Sequence, residues 1–96
     1  KSLGLSGNKL TNLPKGIDKL TNLKSLGLSY NKLTNLPKGI DKLTNLKRLY
    51  LSDNELTSLK GIDKLTNLEQ LYLDDNNLSG SEKERVRKIF GNNVEL

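Results

Sequence analysis

The chain has no cysteine, no histidine, no methionine and no tryptophan, and its aromatics are three tyrosines and one phenylalanine. Without cysteine there is no disulfide. Without cysteine and histidine there is no Cys/His zinc site and no nucleophile paired with an imidazole base. No run of about 18 apolar residues occurs, so no stretch reads as a membrane-spanning helix. Neither a signal nor a transit segment is visible, and the chain opens on Lys1 rather than Met, so the expectation is that upstream sequence has been removed. The lack of cysteine points to a reducing compartment or to a bacterial secreted protein rather than to an oxidising eukaryotic one.

What is present is narrow in kind. Of 96 residues, 22 are leucine and 4 are isoleucine, with very little else that is apolar. An irregular interior is filled by mixed shapes, so near-uniform leucine implies one packing environment used repeatedly. The formal charge of +5 is unevenly spread. Residues 1–47 hold nine lysines against Asp18 and Asp41, a net +7, whereas residues 48–96 hold seven bases against nine acids, a net −2. The chain is electrically polar from end to end.

The leucines keep a period. Asn8, Asn31, Asn54 and Asn76 are separated by 23, 23 and 22 residues. Leu3, Leu26, Leu49 and Leu71 keep the same steps, as do Leu5, Leu28, Leu51 and Leu73, and the isoleucines Ile17, Ile40 and Ile62 follow in register. The segment Lys-Gly-Ile-Asp-Lys-Leu-Thr-Asn-Leu recurs unchanged at 15–23, 38–46 and 60–68. The single missing residue is a proline: Pro14 and Pro37 have no counterpart between Leu59 and Lys60. Written as L-x-x-L-x-L-x-x-N-x-L-x-x-L-P-x-x-I-x-x-L-x-x, this pattern resembles the leucine-rich-repeat family over essentially the whole chain. The 23-residue length with Leu-Pro then Ile is similar to bacterial and plant intracellular members.

Physical reasoning leads to the same α/β architecture. Leu-x-Leu makes a short strand with alternate residues inward, and the strands stack in parallel about 4.8 Å apart into one curved sheet. The recurrent asparagine turns the chain off the strand and should bond the backbone of a neighbouring repeat, because a buried amide needs partners. Pro14 and Pro37 should lead into short helical or 3-10 segments on the convex side. Residues 1–78 form the repeats and residues 79–96 a C-terminal helical cap. In that cap Ser81 and Glu84 read as a capping box, Val86, Ile89 and Phe90 as one apolar face, Gly91 as the stop, and Val94 and Leu96 as a last edge strand.

The other end has no such cover. Lys1-Ser2-Leu3-Gly4-Leu5 begins directly on a strand, which leaves apolar side chains and a strand edge open to water. Two compatible readings follow: a C-terminal piece of a longer solenoid, or self-association through residues 1–13.

The resemblance implies that a protein partner docks on the concave sheet, on outward residues between the leucines. Carried onto this sequence, these form four columns: Ser2, Ser25, Arg48, Gln70; Gly4, Gly27, Tyr50, Tyr72; Ser6, Ser29, Ser52, Asp74; and Gly7, Tyr30, Asp53, Asp75. Tyrosine and arginine concentrate binding energy at interfaces, so the candidate site is Tyr30, Arg48, Tyr50, Asp53, Gln70, Tyr72, Asp74 and Asp75. The competing reading is that Tyr50 and Tyr72 merely pack on each other across adjacent strands. Asp53, Asp74 and Asp75 lack any Ca²⁺-loop spacing and read as solvated turn acids, so no metal and no cofactor is implied. Lys15, Lys19, Lys38, Lys42, Lys60 and Lys64 make a convex basic ridge, but Asp18, Asp41 and Asp63 interrupt it and no aromatic lies among them, which argues against nucleic acid. Asn77-Leu78-Ser79 matches a glycosylation sequon, a pattern with many chance occurrences. The functional expectation is therefore a non-catalytic interaction module without nucleic-acid or membrane partners. The alternatives are the recognition part of a larger protein with an enzymatic domain, such as a ligase or GTPase, or a partnerless consensus-like scaffold.

Overall fold

The computed structural model describes residues 1–96 as a single stack of coils built on one parallel sheet. Its strands are β1 (Ser2–Gly4), β2 (Ser25–Gly27), β3 (Arg48–Tyr50), β4 (Gln70–Tyr72) and β5 (Val94–Glu95), hydrogen-bonded in chain order. Between consecutive strands among the first four lies a 3-10 turn: Ile17–Lys19, Ile40–Lys42 and Ile62–Lys64. A helix, α1 (Gly80–Phe90), and a last 3-10 turn, Gly91–Asn93, connect β4 to β5. Each strand is only a few residues long, so each coil is held mainly by its neighbours.

The leucines of the strands and turns meet in one core. Leu26, Leu28, Leu33, Leu43, Leu46, Leu49, Leu51, Leu56, Leu59 and Leu65 are fully buried, together with Ile62. Removing one such side chain from water contributes about 1.5–3 kcal/mol, so the two central coils carry most of the apolar stabilisation. The first coil differs. Leu3, Leu5, Leu10, Leu13 and Ile17 only lean on this core, and Leu20 remains 44% exposed.

The asparagine column does what the sequence leads one to expect. Asn31 Oδ1 accepts from the amides of Asn8 and Leu10 at 3.0 and 2.8 Å, while its Nδ2 donates to the carbonyls of Leu5 and Leu28. Asn54 and Asn76 repeat the pattern one and two coils later, on Leu33 and Leu28, then on Leu56 and Leu51. A second amide column runs on the other side, where Asn45 Nδ2 donates to Thr21 O and Asn67 Nδ2 to Thr44 O. Every buried side-chain nitrogen and oxygen has a partner, as a stable interior requires.

Each of the three 3-10 turns between β1 and β4 starts after a glycine with φ of 95°, at Gly16, Gly39 and Gly61, a backbone state open to glycine but strained for other residues. Proline is not what makes the turn. The Ile17 and Ile40 amides donate to Pro14 O and Pro37 O, and in the third coil, without proline, Ile62 N donates to Leu59 O at 3.0 Å. Leu59 keeps the place of Leu13 and Leu36, with Ser58 bridged to Asn35, and its carbonyl also takes over the proline's part in the turn.

Two expectations for the cap are corrected. The N-cap is Ser79, not Ser81: Ser79 Oγ accepts the Glu82 amide at 3.2 Å, and the helix has already begun at Gly80. Glu84 does not reach back to the Ser81 amide. The acid that matters is Glu82, whose Oε2 accepts the Leu59 amide at 2.7 Å, and Arg85 closes the clamp by donating to Glu82 and to Leu59 O. Bonding to Arg85 first, and to the Leu59 amide second, holds the Glu82 carboxyl below the usual range. The apolar face is also narrower than its spacing suggests: Val86 is buried and Phe90 half-buried, but Ile89 is 40% exposed. A helix lying across the end of a solenoid needs only one row of contacts, so Ile89 turns past the edge. Gly91, at φ 61°, stops the helix, and Val94 pairs with Leu71 in the final strand, with Leu96 against the core.

Candidate functional site

Strand register decides which outward residues become neighbours. Ser2, Ser25, Arg48 and Gln70 align across β1 to β4, and Gly4, Gly27, Tyr50 and Tyr72 align two residues further on. Since Leu49 and Leu71 between them point into the core, both columns lie on the outer sheet face. Arg48 Nε donates to Gln70 Oε1 at 3.1 Å. The Tyr50 and Tyr72 rings stack with centroids 4.9 Å apart and planes within 4° of parallel. This spacing matches the distance between adjacent strands, so the sheet itself sets the stack.

The next columns lie where the chain leaves the strands. Ser52 Oγ donates to Asp74 Oδ1, tying the third and fourth coils together. Tyr30, Asp53 and Asp75 all sit at left-handed φ, 59°, 57° and 60°, immediately before the buried or half-buried asparagines. The left-handed residue turns the chain so that each asparagine enters the stack. Aspartate tolerates that conformation; tyrosine, with its bulky side chain, does so at a cost of about 1 kcal/mol. Tyr30 recovers little of this by packing, since it is 66% exposed.

The structure thus brings Arg48, Tyr50, Gln70 and Tyr72 into one contiguous array, with Asp53, Asp74 and Asp75 along its strand-exit side. Tyr30 lies at the same side, one coil earlier. The three aspartates form no group that could hold a metal ion. On the opposite surface, a shallow groove of about 440 Å³ runs between the first two coils, lined by Lys15, Lys38 and Lys42 but also by Asp18 and Asp41.

The family described as leucine-rich repeat region matches residues 1–91. The chain belongs to the leucine-rich-repeat family. A leucine-rich-repeat protein of Leptospira interrogans is similar over 100% of this chain at 49% identity, with a TM-score of 0.88. An internalin of Listeria monocytogenes is similar over 81% of this chain at 36% identity, with a TM-score of 0.73. This chain spans 25% and 22% of those two chains, about a quarter of their length. No curated protein matches it. The leucine-rich-repeat fold is that of a protein-interaction module, and the columns above are what such a fold presents on its concave sheet. No helix is long and apolar enough to cross a membrane.

Two features of this leucine-rich-repeat chain escape a reading of the sequence. One is the Glu82–Arg85 clamp on Leu59, whose only sequence signal was the proline missing after Leu59. The other is the strain at Tyr30, which its alignment with Gly7, Asp53 and Asp75 could have revealed, because glycine and aspartate are the residues that favour left-handed turns.

Proposed function

We propose that the chain is a non-catalytic interaction module that binds a protein partner on its concave sheet through Arg48, Tyr50, Gln70 and Tyr72, with Tyr30, Asp53, Asp74 and Asp75 at the rim. The observation that carries this reading is the Tyr50–Tyr72 stack beside the Arg48–Gln70 pair. Large, rigid amphipathic side chains are pre-ordered there at an outer face, so a partner ordering against them loses little further entropy. In the two earlier coils the same columns hold only glycine and serine, which offer little contact energy. The acids of this face have no histidine or cysteine to pair with and no enclosing pocket, so the face lacks the parts of a hydrolytic or group-transfer site.

The test is replacement of Tyr50 and Tyr72 together by alanine. Partner capture by the wild-type chain is lost in the double variant, while its Tm stays within a few degrees. A double variant that no longer folds, or that still captures the partner, overturns the assignment.

A second reading concerns the uncovered first coil. Leu20 is exposed, Leu3, Leu5, Leu10, Leu13 and Ile17 are only half-buried, and the outer edge of β1 has no neighbour. We propose self-association through residues 1–13, aided by these side chains. Light scattering at rising concentration reads it directly: a mass that stays monomeric throughout removes the proposal. The share of the relatives' length that this chain spans also supports its being the recognition part of a longer protein, which the full open reading frame decides.

A further inference from the structure

The Tyr50–Tyr72 stack is open on one side. Tyr72 covers one face of the Tyr50 ring, and the opposite face looks along the sheet toward β2. The residue in register there is Gly27, followed on β1 by Gly4. At Gly27 the nearest atoms to the place of a side chain are Ser6 Oγ at 3.4 Å and the β1 backbone at 3.8 and 3.9 Å, and at Gly4 nothing lies within 4 Å. Two adjacent strands therefore carry no side chain beside the half-buried Tyr50, leaving a low shelf one strand spacing (about 4.8 Å) from its ring. That is the space one further ring needs to extend the stack.

Charge differs between the two ends of the outer sheet face. Where the strands start stand Lys1, Lys24 and Lys47, with Lys47 bridged to Glu69 at 3.6 Å, and then Arg48. Past the strand ends Asp53 stands one coil over from β2 and Asp74 and Asp75 two coils over, while β2 itself runs out through Ser29, Tyr30, Asn31 and Lys32. An extended segment laid over β2 and leaning toward β3 would pass from a basic to an acidic border in about six residues, roughly 20 Å at ~3.3 Å per residue.

We infer that the shelf over Gly27 seats an aromatic side chain of an extended protein segment, stacked on the free face of Tyr50, with an acid toward Lys24 and a base toward Asp53. This rests on the concave-face reading above and adds the partner's chemistry to it. A neutral ring fits better than a guanidinium, because Arg48 flanks Tyr50 in the neighbouring column.

The probe is a capped heptapeptide with a central phenylalanine, glutamate at one end, arginine at the other and serines between, made in both chain orders and titrated against the whole chain by NMR. The Tyr50 ring resonances shift saturably for one order, and the same peptide with central leucine binds about ten-fold more weakly, the scale of a stacking preference. Gly27→Val, which fills the shelf while suiting a strand, lowers binding at least as much with an unchanged Tm. Lys42→Ala, on the opposite surface, leaves it intact. Equal binding of the leucine peptide, undiminished binding by Gly27→Val, or no saturation at about 1 mM overturns the inference. If Gly27→Val still captures the partner that the Tyr50 and Tyr72 double variant loses, the concave face remains a binding surface and only the ring seat is removed.

Discussion

The backbone amide of Leu59 donates to Glu82 Oε2 at 2.7 Å, a bond that joins the third coil to the cap helix across 23 positions of sequence. Leu59 O receives Arg85 Nη2 at 3.1 Å, so one residue is held at both backbone groups by an i,i+3 ion pair. A charged acceptor on a largely enclosed amide is stronger than a neutral one.

This bond makes the cap sensitive to acid. The folded Glu82 carboxyl titrates below its ordinary value of 4.5, so it contributes stability that is fully present above that value and disappears as pH falls through the lowered one. Glu82→Gln should have a lower Tm at neutral pH, and the gap to the wild type should close in strong acid. Thermal melts across that range check it, and parallel curves at all pH values would show that the clamp carries no charge-dependent stability.

Asn54 is buried and serves two coils at once, accepting from Leu33 N and donating to Leu28 O and Leu51 O. Asn54→Ala strands these groups in an apolar surround, at about 1–3 kcal/mol for each one left unpaired. The expected loss is about 3 kcal/mol or more in chemical denaturation. Asn8→Ala should cost far less, since its side-chain amide bonds only within its own coil and is exposed.

Tyr30 predicts opposite signs for stability and binding. Asparagine at this position accepts the left-handed backbone, so Tyr30→Asn should stabilise the fold by about 0.5–1 kcal/mol, a rise of a few degrees in Tm. If Tyr30 belongs to the contact rim, the same change weakens partner binding. Calorimetry and a binding titration on one variant separate the two effects.

The coils should also differ in what a truncated leucine costs. Leu43 is fully buried and Leu20, one coil earlier at the matching position, is 44% exposed. Leu43→Ala should destabilise by about 2–5 kcal/mol and Leu20→Ala by under about 1 kcal/mol. Similar losses at both positions would mean that the first coil is covered in solution.

The coil architecture was legible because leucine and asparagine recur at one period, and a residue met three times in register is constrained three times. Register likewise made the Arg48 and Tyr50 columns readable before any coordinates. The cap was harder. Ser79-x-x-Glu82 and Ser81-x-x-Glu84 both satisfy the capping pattern, and local chemistry does not choose between them. Burial of Leu78 and capture of Glu82 by the distant Leu59 amide make the choice, and both depend on the stack as a whole. Ile89 followed the same logic in reverse: its spacing was apolar, but the surface waiting for it ended at Val86 and Phe90.

Glu82 and Arg85 hold the two backbone groups of Leu59, whereas the amide of Leu13, which like Leu59 stands five residues after its own asparagine, is bonded to Asn12 Oδ1. The helix therefore grips the third coil by its backbone and not by its outward side chains. Changes in the outward columns leave this joint untouched, so binding surface and helix docking are free to vary separately.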